Sequence, residues 1–245
     1  MPTEHAPSLQ SSSQKPRPVC AITGGSSGIG LATAQRFATG GFALSICGRD
    51  TTRLANAAAN LPAAQMHTVP CDVSDPEQAR HFIQETLDRW GRLDVLVHCA
   101  AVAPLALLTE LDPRDFEAAI DINIRGWFHA TQATWRHFLQ RGAGGTIVSV
   151  SSLAAIDPFP GFAVYGATKA WEDLMIQALA AEGKPHGIRL FSIRPGAVDT
   201  PLLEGLFPNF PHAERLAPTD VAALIWEVCQ PPFRYSSGQL LAIQR

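Results

Sequence analysis

The chain has 245 residues, 46% of them hydrophobic, which is enough to bury the core of one α/β domain. Its formal net charge is −3, with 22 acidic residues and 19 basic ones, the basic residues scattered singly, so neither nucleic acid nor an anionic membrane is expected as a partner. No uncharged apolar run approaches the roughly 18 residues of a membrane span. The five cysteines, at 20, 47, 71, 99 and 229, form no Cys-x-x-Cys pair. A disulfide framework or metal site is therefore not expected, and reduced thiols in the cytoplasm are.

Residues 1–17 are polar, with Ser11, Ser12 and Ser13 and three prolines between Pro2 and Pro16. They read as a disordered leader that lacks the surface to order itself. A targeting peptide is the alternative, although the stretch has little Arg and no apolar face. From residue 18 to 245 no linker or repeat interrupts the pattern, which predicts a single domain.

Val19 to Thr23 is an apolar run ending in glycines. Gly30 to Thr39 predicts a helix closed by Gly40-Gly41, and Phe42 to Cys47 a second strand. An Ala-rich helix precedes a third strand over Met66 to Pro70. Ser74, Pro76 and Glu77 read as a capping pattern for the next helix. Leu93 to His98 predicts a fourth strand. Asp112-Pro113 opens a long helix reaching about Gln140. Gly145 to Val150 predicts a fifth strand, Ala163 to Ala181 a helix stopping at Gly183, and Ile188 to Ile193 a sixth strand. Thr219 to Cys229 predicts a helix halted by Pro231-Pro232, and Gln239 to Ile243 a last short strand. Strands apolar throughout imply a sheet buried on both faces. Their alternation with helices predicts a three-layer, doubly wound parallel sheet of about seven strands. Ligands in such sheets bind beyond the carboxyl ends of the strands.

Between the first strand and helix lies Thr23-Gly24-Gly25-Ser26-Ser27-Gly28-Ile29-Gly30. Glycines there let the backbone turn sharply and approach a pyrophosphate, which the free amides of the helix N-terminus then meet. A tight turn with no ligand is the plain alternative. Further on, Tyr165-Gly-Ala-Thr-Lys169 sets a phenol and an ammonium at i, i+4 on one helix face. A phenol working as an acid/base near neutrality needs its pKa lowered by roughly 2–3 units, at about 1.4 kcal/mol each. A cation about 4 Å away supplies on the order of 4 kcal/mol at an effective dielectric near 20. Alone, the pair also fits an ordinary surface contact.

Together TGGSSGIG, the Tyr165–Lys169 pair and Ser152, thirteen residues before Tyr165, resemble the short-chain dehydrogenase/reductase family over essentially 18–245. The resemblance implies a Rossmann-like fold and an oxidoreductase interconverting a carbonyl and an alcohol. Tyr165 would be its general acid/base and Lys169 the cation that tunes Tyr165 and holds ribose hydroxyls. Ser152 would bind the substrate oxygen, with Ser149 and Ser151 the competing positions. The backbone carbonyl of Asn123, freed by a local break in the long helix, would hold a relay water. A non-catalytic dinucleotide-binding sensor or scaffold is the alternative function.

The same resemblance implies cofactor contacts at Gly24, Ser26, Ser27, Gly28, Ile29, Gly30, Cys99, Ala100, Pro195, Gly196, Val198 and Thr200, besides Tyr165 and Lys169. Asp72 and Val73 would meet the adenine, unless Asp72 only closes a turn. After the second strand, Arg49 stands where NAD-preferring relatives carry Asp, and a guanidinium pairs with a 2′-phosphate. NADP is thus expected over NAD. Otherwise Arg49 merely leads a helix capped by Asp50, and Ser26 and Ser27 add no second basic group. His98-Cys99-Ala100-Ala101 departs from the family's Asn-Asn-Ala-Gly, and His98 is expected to replace the asparagine's bridging. Cys47, Cys71 and Cys99 end strands and are expected to be small buried residues. The segment Pro201 to Ala217, with Leu202, Leu203, Leu206, Phe207 and Phe210, is expected over the substrate. A homodimer or homotetramer packing helices 113–140 and 163–182 is implied. Ketoacyl thioesters, steroids, sugars and small ketones all fit the family's substrates.

Overall fold

The computed structural model describes residues 17–62 and 65–245; the expected leader lies, through residue 16, outside the described residues. Seven parallel strands form one sheet. They are β1 (Val19–Thr23), β2 (Ala43–Gly48), β3 (Met66–Pro70), β4 (Val95–His98), β5 (Gly145–Val150), β6 (Ile188–Pro195) and β7 (Gln239–Ile243). Their order is β3-β2-β1-β4-β5-β6-β7, so the chain winds outward from β1 in one direction and then from β4 in the other. Thr23 and His98, in register at the carboxyl ends of β1 and β4, mark the switch point where a crevice opens.

The helices are α1 (Gly28–Thr39), α2 (Thr51–Ala59), α3 (Pro76–Trp90), α4 (Pro113–Ala119), α5 (Trp127–Arg141), α6 (Ala163–Gly183), α7 (Pro201–Leu206) and α8 (Pro218–Val228). They cover both faces of the sheet. The period of two along β1 makes this concrete. Val19 and Ala21 join the core under α3, α5 and α6, around Phe82, Phe138 and Ile176. Cys20 and Ile22 join the opposite core under α1 and α8, around Phe37 and Ile225. At the amino end of the sheet Asp94 ties three segments. It accepts from Val19 N–H at 2.8 Å and pairs with Arg92 and Arg141, each at 2.8 Å.

Two local expectations are corrected, and the local break implied in the long helix takes a definite form. Asp75, not Ser74, caps α3, accepting from the Glu77 and Gln78 amides, while Ser74 donates to Asp72. A carboxylate one residue nearer the helix reaches two amides at once, which the hydroxyl would not. The fourth strand begins at Val95, because Leu93 and Asp94 turn to meet His137 and Val19. The helix expected over 113–140 is not continuous: a π-helical segment, Ile120–Gly126, separates α4 from α5 and contains Asn123. Gly126 within it packs on the Val73 carbonyl, where a Cβ would come within 2.7 Å.

Candidate functional site

The β1–α1 turn builds a cradle. Gly24 has φ +66, and a Cβ there would stand 2.8 Å from the Ala100 amide nitrogen. A Cβ on Gly30 would collide with the Gly24 carbonyl. The loop is thus held close by two glycines that nothing larger replaces. Ser27 caps α1 without lending its hydroxyl, so the first-turn amides, which have no partner within the helix, stay available to an anion. These groups border a cavity of about 250 Å³, which Gly24, Ser26, Ser27, Gly28, Ile29 and Gly30 line along one side. Arg49, Asp72, Val73, Cys99 and Ala100 also border it. Thr23, which the sequence did not single out, orients the β4 side: its hydroxyl accepts from the Cys99 and Ala100 amides at 3.2 and 3.3 Å.

Arg49 is exposed at the rim, while Asp50 caps α2 and accepts from the Arg53 amide at 2.9 Å. The capping reading of Asp50 is therefore met, and Arg49 stands beside it on the cavity border. Arg53 also borders the cavity, paired with Asp50 at 2.8 Å, and is a second basic group that the glycine loop does not supply. It sits one helical turn beyond Arg49, a spacing the sequence displays. Asp72 serves as both turn and wall: it accepts from Ser74 N–H at 3.0 Å while lining the cavity.

A second cavity, about 450 Å³, adjoins the first, and Ile29, Cys99 and Thr200 border both. Ser152, Tyr165 and Lys169 line it, with Pro195, Gly196 and Val198 opposite. The three candidate serines separate by role. Ser149 is buried and donates to Glu172 Oε2 at 2.5 Å. Ser151 donates to the Lys169 carbonyl at 3.3 Å. Ser152 lies past the end of β5, its Oγ accepting from the Ala154 amide at 3.1 Å and bordering the cavity. Lys169 Nζ lies 5.9 Å from the Tyr165 ring centre and donates to the Val150 carbonyl at 3.0 Å. It also pairs with Glu172 at 2.7 Å, both side chains being almost wholly buried. Burial depresses the ammonium's pKa, but Glu172 and Tyr165 outweigh it and hold the group above its ordinary range. Glu172 was missed in the sequence, although an acid three residues after Lys169 on an apolar helix was visible there.

Asn123 is buried and lines neither cavity. Its side chain grips Val102 and donates to Thr168 Oγ1 at 3.0 Å, and Thr168 donates to the Tyr165 carbonyl at 2.8 Å. Its backbone lies in the π-helical segment, the break anticipated from the sequence. His98 bridges to Thr131 on α5, Nε2 to Oγ1 at 2.9 Å, and packs against Trp127. Burial, aided by the Lys169 charge, lowers its pKa to about 3, so the ring is neutral. Cys47 and Cys71 are buried as expected, whereas Cys99 is only partly buried, on the border of both cavities; desolvation still pushes its thiol up to about 12, which keeps it protonated.

The segment 201–217 forms one wall of the second cavity and is clamped from behind. Arg215, itself buried, donates to the Phe210 carbonyl at 2.7 Å and pairs with Asp199 at 2.9 Å and Glu204 at 2.8 Å. Val198 and Leu216 form a short parallel bridge behind it.

Residues 18–209 match the short chain dehydrogenase family. The chain is 31% identical to the 3-oxoacyl-[acyl-carrier-protein] reductase of Thermotoga maritima over 92% of its own length and 95% of that protein's. Its fold is similar to the 3-ketoacyl-(acyl-carrier-protein) reductase of Brucella melitensis complexed with NADH. That match has a TM-score of 0.85 and 30% identity, and covers 93% of this chain and 96% of the other. ElxO with NADP bound matches with a TM-score of 0.84 and 27% identity over 93% and 97% of the two chains. The chain belongs to the short-chain dehydrogenase/reductase family, a class of oxidoreductases on an NAD(P)-binding Rossmann fold. No helix among the described residues is long and apolar enough to cross a membrane.

Proposed function

We propose that this chain interconverts a carbonyl compound and its alcohol with NADP(H) as the preferred cofactor. The observation carrying this reading is the junction of the two cavities, one lined by the glycine cradle and the other by Ser152, Tyr165 and Lys169. When bound, the nicotinamide supplies or accepts the hydride at the substrate carbon. In reduction Tyr165 gives a proton to the carbonyl oxygen, and in oxidation it takes one back. The Ser152 hydroxyl holds that oxygen and stabilises the charge that develops on it. Lys169 keeps a positive charge beside the phenol; the Asn123 carbonyl would hold a relay water, while its side chain, through Thr168 and the Tyr165 carbonyl, braces the first turn of α6.

The cofactor would lie along Gly24, Ser26 to Gly30, Asp72, Val73, Cys99 and Ala100, and the ring end against Pro195, Gly196, Val198 and Thr200. Arg49, with Arg53 behind it, supports a 2′-phosphate and so NADP. Exposed Phe128 on α5 and Leu174 on α6 support a homo-oligomer built on those helices. Five free thiols fit a reducing cytoplasm.

Fluorescence titration with NADPH and NADH, followed by turnover of Tyr165→Phe on a carbonyl panel, tests the reading. NADPH is expected to bind more tightly. The variant is expected to keep that binding and lose roughly 10²–10⁴-fold in turnover. Wild-type turnover by Tyr165→Phe would remove the tyrosine from the mechanism.

A further inference from the structure

The second cavity carries information about the substrate, and the following rests on the function proposed above. Its volume, about 450 Å³, is shared between the ring end of the cofactor, on the Pro195, Gly196, Val198 and Thr200 side, and the substrate, on the side of the phenylalanines. Three phenylalanines form a continuous aromatic wall. Phe159 and Phe162 lie 4.4 Å apart between ring centres, and each lies within 6 Å of Phe207, at 5.8 and 5.9 Å. Phe162 in turn packs on Tyr165 at 5.1 Å, so the wall begins at the phenol itself. Leu153 and Leu206 extend it. The charged groups bordering the cavity are Lys169, already committed to Glu172 and the Val150 carbonyl, and Asp157 at the exposed rim. A carboxylate, phosphate or sulfonate entering would lose its hydration, find no free cation among the described residues and face Asp157. An aromatic group would instead bury its whole surface against three rings.

We propose that the substrate is a neutral ketone or aldehyde, or the matching alcohol, bearing an aromatic or branched aliphatic group, and that anionic carbonyl compounds are excluded. The probes are 2-acetylnaphthalene, its 6-carboxylate counterpart and butanone, each measured by NADPH oxidation and by the thermal shift it induces in the full chain. The naphthyl ketone is expected to exceed both others at least tenfold in kcat/KM and to be the probe that raises Tm. Phe159→Ala alters a half-exposed ring and so leaves folding intact. It is expected to raise KM for the naphthyl ketone about fivefold and that for butanone by a smaller factor. Asp157→Lys is expected to narrow the gap to the carboxylate at least threefold. Equal or better turnover of the carboxylate or butanone overturns the proposal. If no probe is turned over, the oxidoreductase reading fails, and the thermal shift still decides the pocket: stabilisation by the neutral ketone alone upholds it, and stabilisation by the carboxylate or by none overturns it.

A separate observation concerns Lys169. Glu172 spans two groups inside the protein, taking Lys169 Nζ at 2.7 Å on one oxygen and Ser149 Oγ at 2.5 Å on the other. Ser149 is itself held by the Trp127 indole at 3.1 Å. The next residue, Asp173, is equally buried but faces elsewhere, pairing with Ser192 at 2.5 Å and Arg194 at 2.7 Å. The geometry assigns Glu172 as the positioning residue of Lys169: it fixes the ammonium's place and offsets part of the field that Lys169 exerts on Tyr165. The other titratable groups around the pair are Tyr165 and Asp173 on α6, His98 at the end of β4 and Cys99 beyond it.

Without the carboxylate, Lys169 would act on the phenol undiluted and would itself lose its proton more readily. Both changes move the alkaline limb of the reductive pH profile downward. Glu172→Gln is expected to lower that limb by at least half a pH unit and to change NADPH affinity, read by fluorescence, at least threefold. Glu172→Asp restores both in part. Asp173→Asn, a buried carboxylate lost without touching Lys169, lowers Tm and leaves the profile in place. If Glu172→Gln does not fold, Ser149→Ala, which removes a hydrogen bond favouring the ionised Glu172 and so weakens the offset on Lys169, is expected to lower the limb in the same direction. An unmoved profile with unchanged NADPH affinity in whichever of the two variants folds overturns the assignment.

Discussion

Asn123 exchanges two hydrogen bonds with the backbone of Val102, its Oδ1 accepting from the amide and its Nδ2 donating to the carbonyl, each at 2.9 Å. One side chain thereby replaces a missing strand neighbour for the segment after β4 and also reaches Thr168 beneath Tyr165. Asn123→Ala leaves both Val102 groups unpaired, at about 1–3 kcal/mol for each buried unsatisfied group. For the two groups together, about 2–6 kcal/mol, that corresponds in a domain of this size to a fall in Tm of roughly 4–24 °C. Thermal unfolding followed by circular dichroism is the measurement. An unchanged Tm would mean that water replaces the amide at no cost.

Gly30 and Gly205 make a matched pair. A Cβ on Gly30 runs into the Gly24 carbonyl, whereas one on Gly205, in α7, meets nothing within 4 Å. Gly30→Ala is expected to weaken NADPH binding at least tenfold, because the loop must open to admit the methyl. Gly205→Ala is expected to leave binding alone and to gain up to about 1 kcal/mol of stability from the restricted unfolded chain. Fluorescence titration and urea unfolding of the two variants separate these effects.

Arg49 is exposed at the cavity rim, and replacing it by aspartate exchanges a phosphate partner for a ribose hydroxyl partner. Arg49→Asp is expected to weaken NADPH binding about tenfold to a hundredfold and to improve NADH binding. Arg53→Ala is expected to have a smaller effect in the same direction, since that guanidinium is shared with Asp50. Ratios of the two dissociation constants provide the check, and a ratio untouched by Arg49→Asp would remove Arg49 from cofactor choice.

His98 links the fold's stability to pH. In the folded chain burial holds its pKa to about 3, whereas an exposed histidine titrates near pH 6.5. Below that value the unfolded chain takes up a proton that the folded chain refuses, so stability falls as the pH drops from about 6.5 toward 3. Above it both states are neutral and the contribution is constant. The unfolding free energy of His98→Gln, compared with wild type in urea, is expected to gain about 1–2 kcal/mol on the wild type between pH 7 and pH 5. Parallel pH curves would show that His98 accepts a proton within the fold.

The sequence by itself determined the sheet, the winding and the identity of most groups around the crevice. Apolar strands at a regular spacing dictate burial on both faces, and TGGSSGIG leaves a helix N-terminus open because glycine is the residue that permits the turn. These are local properties, legible along the chain. The π-helical break around Asn123 was anticipated only through resemblance, since nothing in Ile120–Gly126 forbids a regular α-helix. Tertiary structure decided what depends on residues distant in sequence. It set Ser149 against Glu172 and the Ser151 hydroxyl against the Lys169 carbonyl, and left Ser151 and Ser152 both bordering the second cavity. It brought Phe159, Phe162 and Phe207 into one wall, and it buried Glu172 against the lysine that the sequence had paired with Tyr165 alone. Periodicity reports which face of an element is buried; which partner it meets there is fixed only when β5 and α6 pack together.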